Sequence, residues 1–276
     1  MSAAQEHFKI HMIRFIASDL DGTLLDPNGA LPQETFRTIE QLHRKGILFC
    51  AASGRQLTAL QQMFAPVADK IMLMAENGAI VSYKGDMLCC STIAAEDVRR
   101  AIDAVGALRG AHALLCTPAC AYYQDEAQPF LDLVRASYIS NARAALADIA
   151  REKKVCKVAV YDDLGPEYNA MQYLPKALPQ LRVIQSGGNW LDISEKHANK
   201  GSAMRFIRRT LGLRQEECAA FGDHMNDYEM LQECGFPYVT ENAYPPLKRL
   251  IGKSVGTNSE NGVIFAMQAI AAGAMP

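Results

Sequence analysis

The chain has 276 residues, 49% of them apolar, enough to bury one large core or two of ordinary size. Its formal net charge of -2 comes from scattered charges, so no basic face calls for a nucleic-acid partner or an anionic membrane surface. No apolar run approaches the roughly 18 to 20 residues that span a bilayer, and the opening MSAAQEHFKIHM lacks the basic-then-apolar order of a signal peptide, so a cytoplasmic protein is expected.

From Ile13 to Ser18 an apolar run of strand length leads into an acidic loop, and Phe36, Ile39 and Leu42 then recur at helical spacing until Gly46. Ile47–Ala52 reads as a buried strand, 56–64 as a helix and Ile71–Ala75 as another buried strand, an alternation that predicts a parallel sheet. After Asn77-Gly78 the rhythm changes. Ala79–Tyr83 and Met87–Ser91 flank Lys84-Gly85-Asp86 as a β-hairpin, and a helix carrying Val98, Ile102 and Val105 follows. Further strands are expected at 111–117, 121–124, 154–161 and 181–185, with helical patterns between them, so the middle third is read as α+β. Ser186-Gly187-Gly188-Asn189 is read as a hinge where the chain crosses back, with Trp190–Ile193 beginning the return. The last third resumes the first rhythm: a helix over 200–211, a strand over 217–221, and the loop Gly222–Asp227 opening another helix. One α/β domain, 1–85 with 188–276, interrupted by an α+β insert, 86–187, is therefore expected.

Eight cysteines raise the question of disulfides or zinc. Cys50, Cys156 and Cys218 lie in apolar runs and no pair has zinc-site spacing, so reduced, mostly buried thiols are expected. The six histidines show no HxxxH or HExxH pattern.

Four polar features stand just after expected strands or at a helix start: Asp19 with Asp21, Ser53, Lys200, and Asp223 with Asn226 and Asp227. Loops at the carboxyl ends of strands in an open α/β sheet converge on a ligand site, so these four are read as one site. Asp19, Asp21 and Asp223, without histidine or cysteine, make an all-oxygen set that suits Mg2+, with Asn226 and Asp227 orienting it from behind. Mg2+ held by few carboxylates completes its shell with water and substrate phosphate, which points to phosphoryl chemistry. Ser53 offers a hydroxyl and Gly54 an open N–H to such a phosphate, and Lys200 an ammonium at the head of its helix. Each feature alone is an ordinary turn or surface residue. Ser186-Gly-Gly188 resembles a phosphate cradle, but no helix follows it immediately.

The stretches IASDLDGTLLD (16–26), AASGR (51–55), NKG (199–201) and FGDHMNDYEM (221–230) resemble the four ordered motifs of the haloacid dehalogenase superfamily. The insert resembles, by position and length, the type IIB cap of Cof-like sugar phosphatases, as do ENGA (76–79), ENA (241–243) and NGV (261–263). The resemblance implies a Rossmann-like core and a Mg2+-dependent phosphatase. It implies that Asp19 is the nucleophile and Asp21 the general acid and base. Ser53 and Lys200 would bind the phosphoryl oxygens. Asp19, the Asp21 carbonyl and Asp223 would hold the metal, supported by Asn226 and Asp227. Arg55 and Asn77 match positions near the substrate in some relatives, and His224 occupies a variable one. A phosphomutase and a non-catalytic phospho-ligand sensor are the alternatives on the same scaffold.

Overall fold

The computed structural model describes residues 13–274; residues 1–12 and 275–276, the ends of the expected core domain and the stretch read for a signal peptide, lie outside the described residues. β1 (Phe15–Asp19) is buried along its whole length. It stops at Asp19 because the chain turns at once through Leu20–Leu24, where Gly22 takes a φ of 79°. α1 (Thr35–Arg44) buries Thr35, Thr38, Ile39 and Leu42, the one stripe that three- and four-residue spacing allows. Then come β2 (Leu48–Ala52), α2 (Leu57–Met63), β3 (Ile71–Ala75), β4 (Ile80–Tyr83) and β5 (Asp86–Cys90). Lys84 and Gly85, both at positive φ, close the β4–β5 hairpin in two residues.

The insert continues with α3 (Ala95–Gly106), β6 (Ala111–Cys116), β7 (Ala121–Tyr123), α4 (Gln128–Ser137), β8 (Asn141–Arg143), α5 (Leu146–Glu152), β9 (Lys157–Asp162), α6 (Ala170–Ala177), β10 (Leu181–Gly187) and β11 (Trp190–Glu195). The closing elements are α7 (Lys200–Leu211), β12 (Cys218–Gly222), α8 (Tyr228–Gln232), β13 (Phe236–Thr240), α9 (Pro245–Ile251), β14 (Ser254–Val255) and α10 (Gly262–Ala271).

The chain divides into two compact units, 1–49 with 207–276 and 50–206, and β2 runs from one into the other. In the first unit β14, β13, β12 and β1 lie in that order, all parallel, and β2 begins beside β1 with Leu48 N donating to Arg14 O at 2.9 Å. This is the α/β parallel-sheet core that alternating buried strands and helices require. In the second unit β2 leads to β3, β4 and β5, the last three antiparallel, and a separate six-stranded sheet runs β10-β11-β9-β6-β7-β8.

One face of the six-stranded sheet packs Leu115, Val158, Val160, Leu191 and Ile193 against α3, α5 and α6. Side chains alternate along a strand, so Lys157, Tyr161, Trp190 and Asp192 lie on the other face. Ser186–Asn189 does not carry the chain back: Gly187 and Gly188, both at positive φ, turn a hairpin, and Trp190–Glu195 pairs antiparallel with β10 and β9. The apolar run at 190–193 reads equally as a returning core strand or a sheet-centre strand, and only long-range pairing separates the two. All eight cysteines are free, five of them buried, and no helix among the described residues is long and apolar enough to cross a membrane.

Candidate active site

The expected site residues form two clusters, each within one unit. In the first, the parallel register of β1 with β12, Ser18 opposite Phe221, brings both strand ends level. Asp19 closes β1 with 6% exposure, and Asp223 follows β12 by one residue. One carboxylate oxygen from each of Asp19, Asp223 and Asp227 lies within 4.8 Å of the others. Three carboxylates at that spacing repel one another unless a cation lies among them, and a set of hard oxygen donors fits Mg2+. Asp21, two residues on, is exposed because the Gly22 turn has left the strand direction.

The loops around this trio are tied by short bonds. Thr23 Oγ1 donates to Asp223 Oδ1 at 3.1 Å, and Asp227 Oδ2 accepts from the backbone N–H groups of Asp223 (3.0 Å) and His224 (3.2 Å). Asn226 lies in the same single helical turn, Met225–Asp227. A Cβ on Gly22 would stand 2.3 Å from Asp223 Oδ2, so only glycine lets the turn pass so close. Asn242 Nδ2 donates to Gly22 O at 2.8 Å and Tyr244 N to Asp223 O at 2.8 Å. Neither Thr23 nor Asn242 was assigned a role from sequence, although Asn242 lies in the ENA stretch. The exposed His224 ring packs 5.1 Å from Tyr244.

In the second cluster Ser53 is buried at the end of β2, its Oγ accepting from Arg55 N at 3.1 Å. Asn77 N donates to Ser53 O and Glu76 N to Arg55 O, so the two loops close on each other. A Cβ on Gly54 would come within 3.0 Å of the Asn77 amide, and one on Gly78 within 2.4 Å of Asn199 O. The Ser53–Gly54 turn, the 76–78 turn and the start of α7 are thereby packed together. Lys200, the first residue of that helix, is fully buried. Asn199 caps it, Oδ1 accepting from Ser202 N at 2.8 Å. The backbone at 76–78 is left-handed for three successive residues, with φ of 52°, 53° and 92°. Such strain in the non-glycine residues Glu76 and Asn77 persists only where the surroundings over-determine it.

Those surroundings include a buried ionic network that no local sequence pattern announces. Lys157 Nζ is 2.7 Å from Glu76 Oε2, 3.4 Å from Asp192 Oδ1, and donates to Gly54 O at 3.2 Å. Asn77 Nδ2 donates to Asp192 Oδ2 at 2.8 Å. Burial opposes charge on Lys157, but Asp192 and Glu76 hold its ammonium well above the usual lysine range. Burial pushes the Glu76 carboxyl up, against Lys157. Gln56 adds a bidentate link, giving Nε2–H to Ser140 O and taking Ser140 N–H. The legible signal was a charge inside each of two apolar strands, Lys157 in 155–160 and Asp192 in 190–193.

Residues 16–267 match the family model of haloacid dehalogenase-like hydrolases. The chain is 31% identical over 248 residues to an HMP-PP phosphatase of Citrobacter koseri, covering 86% of this chain and 87% of that one. It is 26% identical over 260 residues to 5-amino-6-(5-phospho-D-ribitylamino)uracil phosphatase YbjI of Escherichia coli K12, covering 91% and 94%. The solved structure of the HAD subclass IIB sugar phosphatase BT4131 shares the fold, with a TM-score of 0.80 at 19% identity over 92% of this chain and 98% of that one.

Proposed function

The chain belongs to the haloacid dehalogenase-like hydrolases, and from that membership we propose that it is a Mg2+-dependent phosphatase releasing inorganic phosphate from a small phosphorylated metabolite, a sugar phosphate or similar ester, through an aspartyl-phosphate on Asp19. The names of the curated relatives, an HMP-PP phosphatase and a phosphoribitylaminouracil phosphatase, support a small phosphate ester as substrate. The single observation that carries the reading is the buried Asp19 carboxylate in a trio with Asp223 and Asp227, with the exposed Asp21 two residues away.

A carboxylate approaching a phosphate dianion at about 4 Å meets repulsion of about 8 kcal/mol at an effective dielectric near 20. Asp19, the Asp21 carbonyl and Asp223 would hold Mg2+, with Asn226 and Asp227 behind them, and the bound cation would supply the neutralising charge. An Asp19 oxygen attacks phosphorus while the bond to the leaving oxygen breaks, and Asp21 gives its proton to that oxygen. Asp21, now a carboxylate, takes a proton from water as the water attacks the acyl phosphate, which returns Asp19 and releases phosphate. Ser53, Gly54 N–H and Lys200 would bind the phosphoryl oxygens, and the close packing of their turns holds these donors in fixed positions relative to one another. Arg55 and Asn77 line the approach of the substrate. Of the expected core, 1–85 with 188–276, we assign the chemistry to all but β11, and we assign leaving-group recognition to 86–187 together with β11, which pairs into the same sheet.

Phosphate release from a panel of phosphorylated sugars, nucleotides and cofactors tests the reading. Release should vanish after exhaustive EDTA treatment, return with Mg2+ and be suppressed by Ca2+, whose larger shell fits the site in a looser geometry. Undiminished turnover after chelation would overturn it, and isomer formation without free phosphate would make the chain a mutase.

A further inference from the structure

The loop that follows β2 has three successive carbonyls bound. Ser53 O accepts from Asn77 N at 3.0 Å, Arg55 O from Glu76 N at 3.1 Å, and Gly54 O from Lys157 Nζ at 3.2 Å. The outer two donors are backbone N–H groups of the left-handed turn at 76–78, which packs directly against this loop. The middle donor is a side chain 103 residues along the chain. It has little freedom to be elsewhere: Glu76 and Asp192 flank the ammonium, the centre of the Tyr138 ring lies 5.9 Å from it, and the side chain is closed to solvent.

The direction of each carbonyl fixes the amide that follows, because C=O and N–H point to opposite sides of a trans peptide. With Gly54 O turned to Lys157, the Arg55 N–H points the other way, and there it donates to Ser53 Oγ at 3.1 Å. That bond occupies a lone pair of the hydroxyl, so the Ser53 proton is directed elsewhere. Gly54 is where this peptide rotates most easily, since it has no Cβ to restrict its backbone. Rotation would take the donor from Ser53 and turn a carbonyl oxygen toward the place where the N–H now points. An ion pair needs only carboxylates around the ammonium; the bond to Gly54 O couples Lys157 to the loop.

We propose that Lys157 is a positioning residue for the phosphate-binding serine: by holding Gly54 O it locks the Gly54–Arg55 peptide with its N–H on Ser53 Oγ, which leaves the Ser53 proton to meet a phosphoryl oxygen. This rests on the phosphatase reading, in which Ser53 binds that oxygen, and deepens it by making a strand of the insert a support of the phosphate site. Lys157 acts through Ser53 and does not touch the substrate.

The test is a cycle between positions 157 and 53 in an enzyme that carries Glu76→Gln throughout, so that Lys157→Met does not strand that carboxylate. The Ki of inorganic phosphate against p-nitrophenyl phosphate hydrolysis is measured for Glu76→Gln alone, with Lys157→Met, with Ser53→Ala and with both, each at a temperature where melting curves show it folded. Ser53→Ala should raise Ki roughly 10- to 150-fold, the cost of a hydrogen bond to a charged group. Lys157→Met should raise it too, and the combined rise should fall at least about 3-fold short of the product of the separate rises, because groups in one hydrogen-bond network couple. Lower stability alone would leave the rises multiplicative, and that result would overturn the proposal. The Arg55 amide gives a second reading without phosphate: its proton resonance should move upfield on Lys157→Met and on Ser53→Ala alike, since both lose the bond to Ser53 Oγ. A resonance that moves only on Ser53→Ala would overturn the lock. If no ester is hydrolysed, the phosphatase reading fails and the Arg55 resonance still decides the lock.

Discussion

Lys157 Nζ lies 2.7 Å from Glu76 Oε2, with both side chains closed to solvent, although 81 residues separate them in sequence. The pair joins a strand of the six-stranded sheet to the left-handed turn beside Ser53 and Gly54. A buried ion pair of this kind adds little over well-packed apolar groups, but removing one partner strands the other charge in a dry site.

Lys157→Met should therefore destabilise the protein by about 3 to 5 kcal/mol, because Glu76 and Asp192 lose their shared cation. Adding Glu76→Gln should restore part of the loss. Thermal melts of the single and double variants measure this, and a double variant no more stable than Lys157→Met would mean that the pair is not the source of the effect.

Gly22→Ala tests the close approach of the two loops in the first cluster. The methyl group would stand 2.3 Å from Asp223 Oδ2 at a φ of 79°, so the carboxylate must shift. Displacement of that order costs about 100-fold in turnover, and half-saturating Mg2+ should rise with it. Unchanged activity and unchanged Mg2+ response would contradict the placement of Asp223 beside the turn.

The alternating strands and helices of the core were legible because each strand there is a short apolar run closed by a glycine or polar turn. The strand Ile71–Ala75 matches its apolar run to the residue, and the helix that begins at Lys200 ends at Leu211, about where its pattern stops. The candidate site was legible where chemistry concentrates in one loop, as at Asp19-Leu-Asp21 and Gly222–Asp227. Features held by partners far along the chain were not. The hairpin at Gly187-Gly188 reads locally as a hinge, since the pairing of its second strand with β9 appears in no local pattern. Lys157 and Asp192 each read as a lone charge in an apolar stretch, and what makes them significant is Glu76 and Asn77, more than 80 residues away.

His112 stacks on Phe130 at 4.7 Å and bonds to Asp125 and, at 3.0 Å, to Asp163. Burial alone would lower its pKa, but its ring N–H groups donate to the Asp163 and Asp125 carboxylates, which outweighs burial and raises it above the usual 6.5. The folded state therefore binds the proton more tightly than the unfolded chain. This contribution is fully present below about pH 6.5 and is lost as pH rises through the folded pKa. His112→Gln should lower the melting temperature at pH 6 and much less at pH 9. A pH-independent difference would contradict the charge pairing.

In the proposed mechanism Asp19 carries the phosphoryl group and Asp21 the proton. Asp21→Asn keeps the backbone carbonyl but can neither give nor take a proton, a loss of about 10²- to 10⁴-fold for esters with poor leaving groups. With p-nitrophenyl phosphate, whose leaving group needs no protonation, attack by Asp19 should still occur while the water step lags. The deciding measurement is acid quenching of that reaction followed by peptide mapping by mass spectrometry. A phosphoryl group should appear on the peptide containing Asp19 in the Asp21→Asn enzyme and be absent in Asp19→Ala. Equal slowing on activated and unactivated esters in Asp21→Asn, with no phosphate on that peptide, would contradict it.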